Sequence, residues 1–416
     1  MTRIRQTISP SQALGTVAGL YNKVINNTGF IINTNLLAGG ILLNGAKINN
    51  YLNNKDNVKF INKDQNGITS FNRAYRASDG WFYIYKNTDD LKELYNEDYG
   101  YRSGINQSMI DHLTGITNDI KKIVKFQRED YVLDIASNDA TLLKSYKSSK
   151  INYVGIDPTI NNYKKYYPKN FKAKSALFSK HKYLNLSKKQ KAKVITSIAM
   201  FYDVQNPNEF VSDIKDILSK DGIWVMEMYY LPILLKYNAY DSICHEHITY
   251  FSLNQINYLC EKNNLKIFKV SLNSMNCGSI RYFICHRDAR FKLDYNSINK
   301  CKKLEKILDQ DSCFYNFKKR IKFLSKKLNL IIKNLNKRKK TIHVYGASTK
   351  GNISLQYLKL SVKDISFAAD RNPLKWNRKM PGSNIPIISE ASSRAKNPDY
   401  YLVLPWHFKK GFIKRE

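Results

Sequence analysis

Short apolar runs alternate with amphipathic segments through the middle of the chain. Residues 108–124 and 209–218 repeat apolar side chains at the spacing of a helix. Short apolar runs typical of buried strands lie at 131–135, 152–156, 193–198 and 222–228. Strands that alternate with helices in this way form parallel sheets whose two faces are covered by the helices. The pattern therefore predicts an α/β fold with a doubly wound sheet.

A second pattern of the same kind follows a long helical segment. Residues 318–340 place apolar side chains on one helical face with lysines opposite, which predicts a connecting helix with a solvated basic face. The apolar face consists of Ile321, Leu324, Leu328, Ile331 and Leu335. Residues 341–358 then have the pattern of a strand, a turn and a helix, and two more apolar runs come after them. We predict a second, smaller α/β domain there.

Changes in composition divide the chain into four segments. Residues 1–95 are rich in Asn and punctuated by Gly, with VKFI and WFYIYK as strand-like fragments. The predicted central domain covers residues 96–290, the connecting helical segment 291–340 and the last domain 341–416. More sheet or helix is expected beyond LVLPWHF than the sequence contains, so we expect the last domain to be short.

The charge is strongly positive, because 68 Lys and Arg against 34 Asp and Glu leave a net +34. Such a charge is compatible with nucleic acid, anionic lipid or phosphorylated small molecules as partners. The lysines are scattered among Asn, Ile and Tyr, without an RNA-binding aromatic motif or a zinc finger. We interpret the charge as a solvated basic surface that attracts anionic small molecules, and expect no specific nucleic-acid partner.

Cysteine positions and hydropathy indicate the compartment. No CxxC pair and no run of about 18 apolar residues occurs, and the first residues have no signal-peptide core. We expect a cytoplasmic protein without disulfides or a membrane partner, and the oligomeric state is not indicated. The six cysteines are Cys244, Cys260, Cys277, Cys285, Cys301 and Cys313.

The turn after the first buried strand is a candidate binding site. In VLDIASNDATLL the strand ends near Asp134, small residues follow, and Asn138 and Asp139 lead into a helix. Asp157 ends the next strand, where a carboxylate binds ribose hydroxyls in nucleoside-cofactor sites. Because GxGxxG is absent, a single adenosine is favoured over a dinucleotide. An ordinary turn capped by Asn and Asp is the alternative.

The segment NAYDSICHEHITYFSL is a candidate catalytic site. It places His245, Glu246, His247 and Tyr250 within six residues, after the fourth strand. A His–Glu pair can act as a general base, since the carboxylate fixes the imidazole tautomer and stabilises its cation. A metal is disfavoured because HEH lacks a third ligand and the HExxH spacing. A partly buried polar cluster is the other interpretation.

Two further segments carry weaker signals. In DYGYRSGINQSM, the Tyr99 and Tyr101 phenols could hold an enolate oxygen beside Arg102, or the segment could only cap the next helix. In YGASTKG, Ser348 and Lys350 lie in a strand–helix turn whose amides, hydroxyls and ammonium suit phosphate. The motif is not a P-loop, because the GxxxxGK(S/T) spacing fails, and a plain glycine-bearing turn explains it equally well.

Seven segments, in order, resemble the S-adenosylmethionine-dependent sugar C-methyltransferases that act on nucleotide-linked deoxyketosugars. They are YGYRSGINQSM, VLDIASNDATLL, GIDPT, ITSIAMFYDVQNPNEFV, NAYDSICHEHITYFSL, YGASTKGN and DRNPLKWNRKMPGSNIPI, within roughly residues 95–410. The resemblance implies a central class I methyltransferase domain with a Rossmann-like sheet and a smaller C-terminal Rossmann-like domain. It also implies S-adenosylmethionine as cofactor and a nucleotide-linked sugar as substrate.

The same resemblance assigns roles to single residues. Glu246 and His247 match the family's base motif, with His245 beside them, and Tyr99 or Tyr101 matches its substrate-facing tyrosine region. Asp157 would hold the ribose hydroxyls. Arg102, Ser348 and Lys350 fall in segments associated with the substrate. The implied lining of the methionine and adenosine pocket is Asp134, Ile135, Ala136, Ser137, Asn138 and Asp139.

The chain departs from the family pattern at its N terminus. Members of the family hold structural zinc there through cysteines, whereas residues 1–95 contain no cysteine and no histidine. We therefore predict no zinc, and a segment that is partly loose or packed on the central domain through WFYIYK. Cys244 also stands where some members carry a tyrosine, and Tyr202-Asp203 stand where those members carry a histidine. These differences leave the exact substrate open.

The resemblance implies a mechanism and leaves rivals. His247, oriented by Glu246, would remove the proton beside the ketone, tyrosine hydroxyls would hold the enolate oxygen, and the carbon would take the methyl group. An O- or N-methyltransferase on the same scaffold is the first rival. A nucleic-acid-binding protein is the rival from another class, and an oxidoreductase that uses YGASTKG is a third.

Overall fold

The fold was analysed in a computed structural model, which describes residues 72–77, 80–85, 94–96, 99–244, 247–310, 312–404 and 413. The chain divides into two compact units, Met1–Asn96 and Glu97–Glu416. In the first unit, strands β1 (Asn72–Ala77) and β2 (Gly80–Tyr85) form an antiparallel hairpin. The strand predicted from WFYIYK is confirmed by β2, whereas VKFI lies outside the described residues.

Seven strands form the central sheet of the second unit. Their order is β5-β4-β3-β6-β7-β9-β8, and all pairs are parallel except those made by β9. The chain leaves β3 toward one edge and later returns to its other side, so a topological switch point lies between β3 and β6. The strands are β3 (Tyr131–Ile135), β4 (Asn152–Ile156), β5 (Lys172–Lys174), β6 (Ala192–Ile198), β7 (Leu218–Tyr229), β8 (Leu265–Asn273) and β9 (Ser279–His286).

Helices cover both faces of this sheet, as the alternating pattern predicts. The first of them buries Leu113, Ile116 and Ile120 on one face, at the expected helical spacing. The fifth begins with Pro207 after Asn206, whose side chain accepts a hydrogen bond from the Glu209 amide. The helices are α1 (Gln107–Ile123), α2 (Thr141–Lys144), α3 (Ile160–Tyr163), α4 (Lys180–Leu186), α5 (Pro207–Ile217), α6 (Leu231–Tyr237), α7 (Leu253–Lys262) and α8 (Tyr295–Glu305).

Two apolar clusters fill the spaces between the sheet and the helices. Leu133 and Ile135 of β3 point into one cluster, and Val132 points into the other. Alternate residues of a strand face opposite sides, so a strand covered on both faces needs apolar residues at consecutive positions. This explains why the four predicted strands, now β3, β4, β6 and β7, read as continuous apolar runs.

The connecting helix, α9 (Ser312–Lys337), packs differently from the prediction. Its first half packs on α6 through Phe317 and Ile321, and its second half joins the core of the last domain through Ile332. Leu324 and Ile331 were expected on the buried face but are 48% and 55% exposed. The prediction assumed that one face of α9 packs on a single surface along its whole length. The helix instead packs on α6 in its first half and on the last domain in its second half, so its buried face changes along the helix.

The last domain is a second parallel sheet, as predicted, with the order β12-β11-β10-β13. The turn YGASTKG connects the carboxyl end of β10 to the next helix. In the described residues no helix is both long and apolar enough to cross a membrane. The elements are β10 (Ile342–Tyr345), α10 (Thr349–Leu358), β11 (Phe367–Asp370), β12 (Ile387–Ser389), α11 (Glu390–Ala395) and β13 (Tyr400–Val403).

Candidate active site

The turn between β3 and α2 has an unusual backbone. Ala136, Asn138 and Ala140 have φ of +59°, +48° and +61°, in the left-handed region that L-residues with a Cβ rarely adopt. Such a conformation raises the energy by about 1 kcal/mol for each alanine. Strain of this kind is typical of turns that bind a ligand through their backbone. The turn lies at the switch point, where sheets of this type bind cofactors.

Asp157 connects this turn to the next strand. One carboxylate oxygen, Oδ2, accepts a hydrogen bond from the Asn138 amide at 3.0 Å. The other, Oδ1, accepts from the amide of Thr159 at 2.6 Å and from its hydroxyl at 2.5 Å. A carboxylate offers about four acceptor positions, so hydroxyl groups of a ligand can still bind. The predicted ribose-binding role of Asp157 is compatible with this geometry and stays a prediction.

Asp134 lies at the end of β3 and is 4% exposed. Burial raises the pKa of its carboxyl from 3.8 to about 7, although the Thr196 hydroxyl donates a hydrogen bond to Oδ1 at 2.6 Å. The neighbouring Ile135 has its side chain in the core, so only its backbone can reach a ligand. Ser137 shares a 2.8 Å hydrogen bond with the Tyr167 hydroxyl, which holds the turn.

The segment that carries YGYRSG packs directly on this turn. The Ser103 amide donates to Asn138 Oδ1 at 2.9 Å, and the Gly104 amide donates to Asp139 Oδ2 at 3.1 Å. A Cβ added to Gly104 would lie only 2.5 Å from Asp139 Oδ2, so glycine permits this close approach. The structure thus unites two segments that the sequence separates by about 35 residues.

The tyrosines and arginine of that segment lie beside the same turn. The Tyr163 hydroxyl is within 2.8 Å of the carbonyls of both Tyr99 and Tyr101. The Arg102 guanidinium lies 4.2 Å from the centre of the Tyr166 ring and 4.0 Å from the Asp139 carboxylate. The proposed contacts of these side chains with a substrate remain predictions.

His247 occupies a site walled by tyrosines. Its Nδ1 lies 2.7 Å from the Ser242 carbonyl, which can only accept, so Nδ1 carries the proton in the neutral ring and Nε2 the lone pair. The ring centres of Tyr202, Tyr229 and Tyr250 lie 4.4, 5.0 and 6.4 Å away. His245 and Glu246 lie outside the described residues, so the predicted orientation of His247 by Glu246 stays a prediction.

Backbone contacts place His247 at the same edge of the sheet as the turn at residues 134–139, which is called the cofactor turn from here on. The carbonyl of Tyr202, just after β6, accepts hydrogen bonds from the amides of Ile248 and Thr249, both at 3.1 Å. Because β6 lies next to β3 and Thr196 of β6 donates to Asp134, one sheet edge carries both parts of the site. This edge brings the base candidate and the cofactor turn together.

The last domain contributes Lys350 to the same region. Its Nζ is buried and lies 4.9 Å from the centre of the Tyr229 ring. Ser348, predicted to bind substrate, accepts a hydrogen bond from the Gly351 amide at 3.1 Å and so caps α10. The capping geometry gives Ser348 a structural role, while its predicted contact with a substrate stays untested.

The sequence analysis did not single out Asp241. It is 3% exposed, and neither carboxylate oxygen has a hydrogen-bond partner in the described part of the chain. Its position in the HEH-bearing segment was the only signal that could have found it. Within the described ranges no three His, Cys, Asp or Glu side chains converge as metal ligands. The absence of zinc remains a prediction, because residues 1–71 are not described.

Comparison with known proteins finds two family models that match consecutive parts of the second unit. The family model described as methyltransferase domain matches residues 112–270, and the one described as C-methyltransferase C-terminal domain matches residues 274–416. The C-methyltransferase NovU of Streptomyces niveus is 25% identical over 326 residues, which are 76% of each chain.

Solved structures show a weaker likeness. Magnesium protoporphyrin IX methyltransferase (ChlM) from Synechocystis PCC 6803, with bound SAH, is 9% identical with a TM-score of 0.33, covering 48% of this chain and 93% of its own. The plantazolicin methyltransferase BpumL with SAH is 14% identical with a TM-score of 0.32, covering 43% and 84%. The sheet order and the two family models together show that the protein is an S-adenosylmethionine-dependent methyltransferase, similar in both matched parts to the C-methyltransferases.

Proposed function

We propose that this methyltransferase transfers a methyl group to a carbon next to the ketone of a nucleotide-linked deoxyketosugar. The observation that carries the proposal is the hydrogen bond between His247 Nδ1 and the Ser242 carbonyl. This bond leaves the lone pair on Nε2, inside a tyrosine-walled site at the cofactor edge of the sheet. A base so placed suits removal of a proton from the carbon beside a ketone, because the carbonyl makes that C–H group acidic enough for an imidazole positioned next to it.

The residues at the turn fit S-adenosylmethionine. Three carboxyl groups, those of Asp134, Asp139 and Asp157, lie at one sheet edge, and carboxylates suit both the cationic groups and the ribose hydroxyls of this cofactor. Ser137 and Asn138 would bind through the backbone of the strained turn. When bound, the cofactor would supply an electrophilic methyl group on a positively charged sulfur.

His247 would remove the proton beside the ketone through Nε2, while the Ser242 carbonyl stabilises the imidazolium that forms. Glu246 would add to this stabilisation, as the sequence resemblance implies. The electron pair of the broken C–H bond forms a C=C bond and the carbonyl pair moves to the ketone oxygen, so the site must hold a negative charge that develops on this oxygen. Tyr99 and Tyr101 are candidates for this role, with Arg102 and Lys350 as substrate-binding residues.

Deuterium exchange tests the reaction class. Incubation of the wild type with a thymidine- or uridine-diphosphate-linked 4-ketosugar in heavy water, without methyl donor, should exchange the proton next to the ketone. His247→Ala should slow both exchange and methyl transfer at least 100-fold, since a positioned base contributes about 10² to 10⁴. His181→Ala, which changes an exposed histidine, is the matched control.

Two outcomes contradict the proposal. Full activity of His247→Ala would remove His247 from the base role. Methyl transfer to such sugars without any exchange by the wild type would indicate an O- or N-methyltransferase instead, because those reactions need no carbanion.

A further inference from the structure

Two buried charged groups, one on each side of the contact between the domains, lie near the tyrosines around His247. Asp241 belongs to the segment before His247, and both of its carboxylate oxygens are buried and lack a hydrogen bond within the described residues. Lys350 belongs to the turn after β10, and its buried Nζ lacks one on the same terms. Buried charged groups in proteins are nearly always hydrogen-bonded, so two charged groups of opposite sign without such bonds at one place need an explanation.

The two groups share their surroundings but do not pair. Burial raises the pKa of Asp241, and Lys350 together with the backbone amides of Asp241 and Ser242 opposes this rise by favouring the carboxylate. Both charges also act on Cys277, where burial raises the thiol pKa to about 12, Lys350 lowers it and Asp241 raises it. Yet no ion pair joins Asp241 and Lys350 in the described part of the chain. Each group therefore still has the capacity to bind a polar group of a ligand.

A purely structural role does not account for this arrangement. The contact between the domains at this point is formed by the rings of Tyr240 and Tyr357, whose centres are 5.0 Å apart. An ion pair that served only to join the domains would be hydrogen-bonded, because an unpaired buried charge is destabilising. Two buried charges that do not pair with each other instead suit a ligand that forms hydrogen bonds to both.

The Tyr229 ring relates these charges to the base. The centres of the His247 and Tyr229 rings are 5.0 Å apart, and Lys350 Nζ lies 4.9 Å from the centre of the Tyr229 ring. A small group held against Tyr229 would thus be near both a base and an ammonium. An ammonium near the base is useful where negative charge develops as the base takes a proton.

We propose that Asp241 and Lys350 bind adjacent oxygens of the sugar, with Lys350 donating to the ketone oxygen and Asp241 accepting from a neighbouring hydroxyl. The assignment rests on the proposed function. The C–H proton passes to His247 Nε2, its electron pair forms the C=C bond of the enolate, and the carbonyl pair moves to the oxygen that Lys350 stabilises. Lys350 keeps its protons throughout. A phosphate at Lys350 is disfavoured, because the nearby Asp241 carboxylate would repel it.

The test compares two neutralising variants with exposed controls. Lys350→Met should lower the rate of C–H exchange and kcat about 100-fold or more, in line with the loss of one donor to an oxyanion. Asp241→Asn should raise KM for the ketosugar about tenfold and change kcat less. Lys363→Met and Asp288→Asn, both at exposed positions, should leave these constants unchanged. Calorimetry should show S-adenosylmethionine affinity within about twofold of wild type in all four, as none touches the cofactor turn.

Stability measurements separate a ligand-binding role from a structural one. If the pair only stabilises the interface, each single variant will have a lower Tm and the double variant will recover the wild-type Tm. The rate of C–H exchange will then fall and recover together with Tm. This result overturns the inference. Unchanged exchange in Lys350→Met overturns it as well. If the wild type exchanges no ketosugar proton, the proposed function fails and this assignment fails with it, whereas wild-type exchange with unaffected variants refutes the assignment alone.

Discussion

At the scale of single residues, Asp134 shows how burial changes chemistry. Its carboxyl group ends a strand beneath the cofactor turn and has a pKa of about 7, mainly because burial disfavours the charged form. Near neutral pH the group is therefore divided between its protonated and ionised forms. The charge of a bound ligand will decide between them.

We expect cofactor binding to release a proton near neutral pH. The cationic groups of S-adenosylmethionine favour the carboxylate of Asp134, so its pKa falls on binding and the affinity rises as the pH rises through about 7. Calorimetry in two buffers of different ionisation enthalpy measures the released proton. Asp134→Asn should abolish this release, and Asp288→Asn should keep it. A release unchanged in Asp134→Asn would contradict the assignment.

The same group gives the free protein a pH-dependent stability. Because the folded pKa is raised above 3.8, the contribution of Asp134 is fully present below that pH and is lost as the pH rises through about 7. The Asp134→Asn variant should therefore show a flatter dependence of Tm on pH across this window than the wild type.

At the scale of elements, the segment before α1 and the turn after β3 form one unit. The amides of Ser103 and Gly104 bind the side chains of Asn138 and Asp139, and Thr141 fixes Asp139 in turn through a 2.5 Å hydroxyl bond. A change in either element will therefore shift the other.

Gly104→Ala should disturb this contact, because the new Cβ would lie 2.5 Å from a carboxylate that Thr141 holds in place. We expect a loss of about 2 kcal/mol in the free energy of unfolding, typical of overpacking, and weaker S-adenosylmethionine binding. Denaturant titration and calorimetry measure the two effects. Gly115→Ala in α1 meets no atom within 4 Å and should stabilise by about 1 kcal/mol, as alanine favours helix. Equal effects of both substitutions would refute the steric argument.

At the scale of the whole molecule, a net charge of +34 makes folding sensitive to acid. A buried carboxylate in the second unit, that of Glu227, is one of the groups on which acid will act. Glu227 of β7 lies 2.5 Å from His112 Nε2 of α1 and accepts from Arg281 Nε of β9 at 2.8 Å. Asn273 at the end of β8 donates to it at 3.0 Å. One carboxylate thus joins a helix and three strands.

Glu227→Gln should lower the free energy of unfolding by about 3 kcal/mol, because it leaves the buried Arg281 without its closest opposite charge. Burial alone would raise the pKa of Glu227, yet His112 and Arg281 lower it below 4.5. Its contribution is therefore present above 4.5 and is lost as the pH falls through the folded value. In an acid titration, Tm should fall more steeply for the wild type than for Glu227→Gln, because only the wild type loses this contribution as the pH falls. Glu261→Gln, at an exposed position, is the control, and an equal effect there would exclude the network as the cause.

The amino-acid sequence by itself determined the elements and the cofactor turn. The runs that became β3, β4, β6 and β7 are apolar at consecutive positions because both faces of each strand are buried, and this property is local to each run. The order of strands and helices then restricts the sheet to a doubly wound one, since parallel neighbours need crossovers. The turn at 134–139 was found for the same reason, because it directly follows a strand that the pattern identifies.

The tertiary structure alone decided which distant residues meet. His112 and Glu227 are 115 positions apart, and nothing near either of them in the sequence predicts the bond. Asp241 and Lys350 reach one site only because α10 packs against the segment before His247, and Leu324 is exposed because α9 has two supports. Periodicity reports which side of an element is buried, but the partner that buries it comes from the packing of elements far apart in the chain.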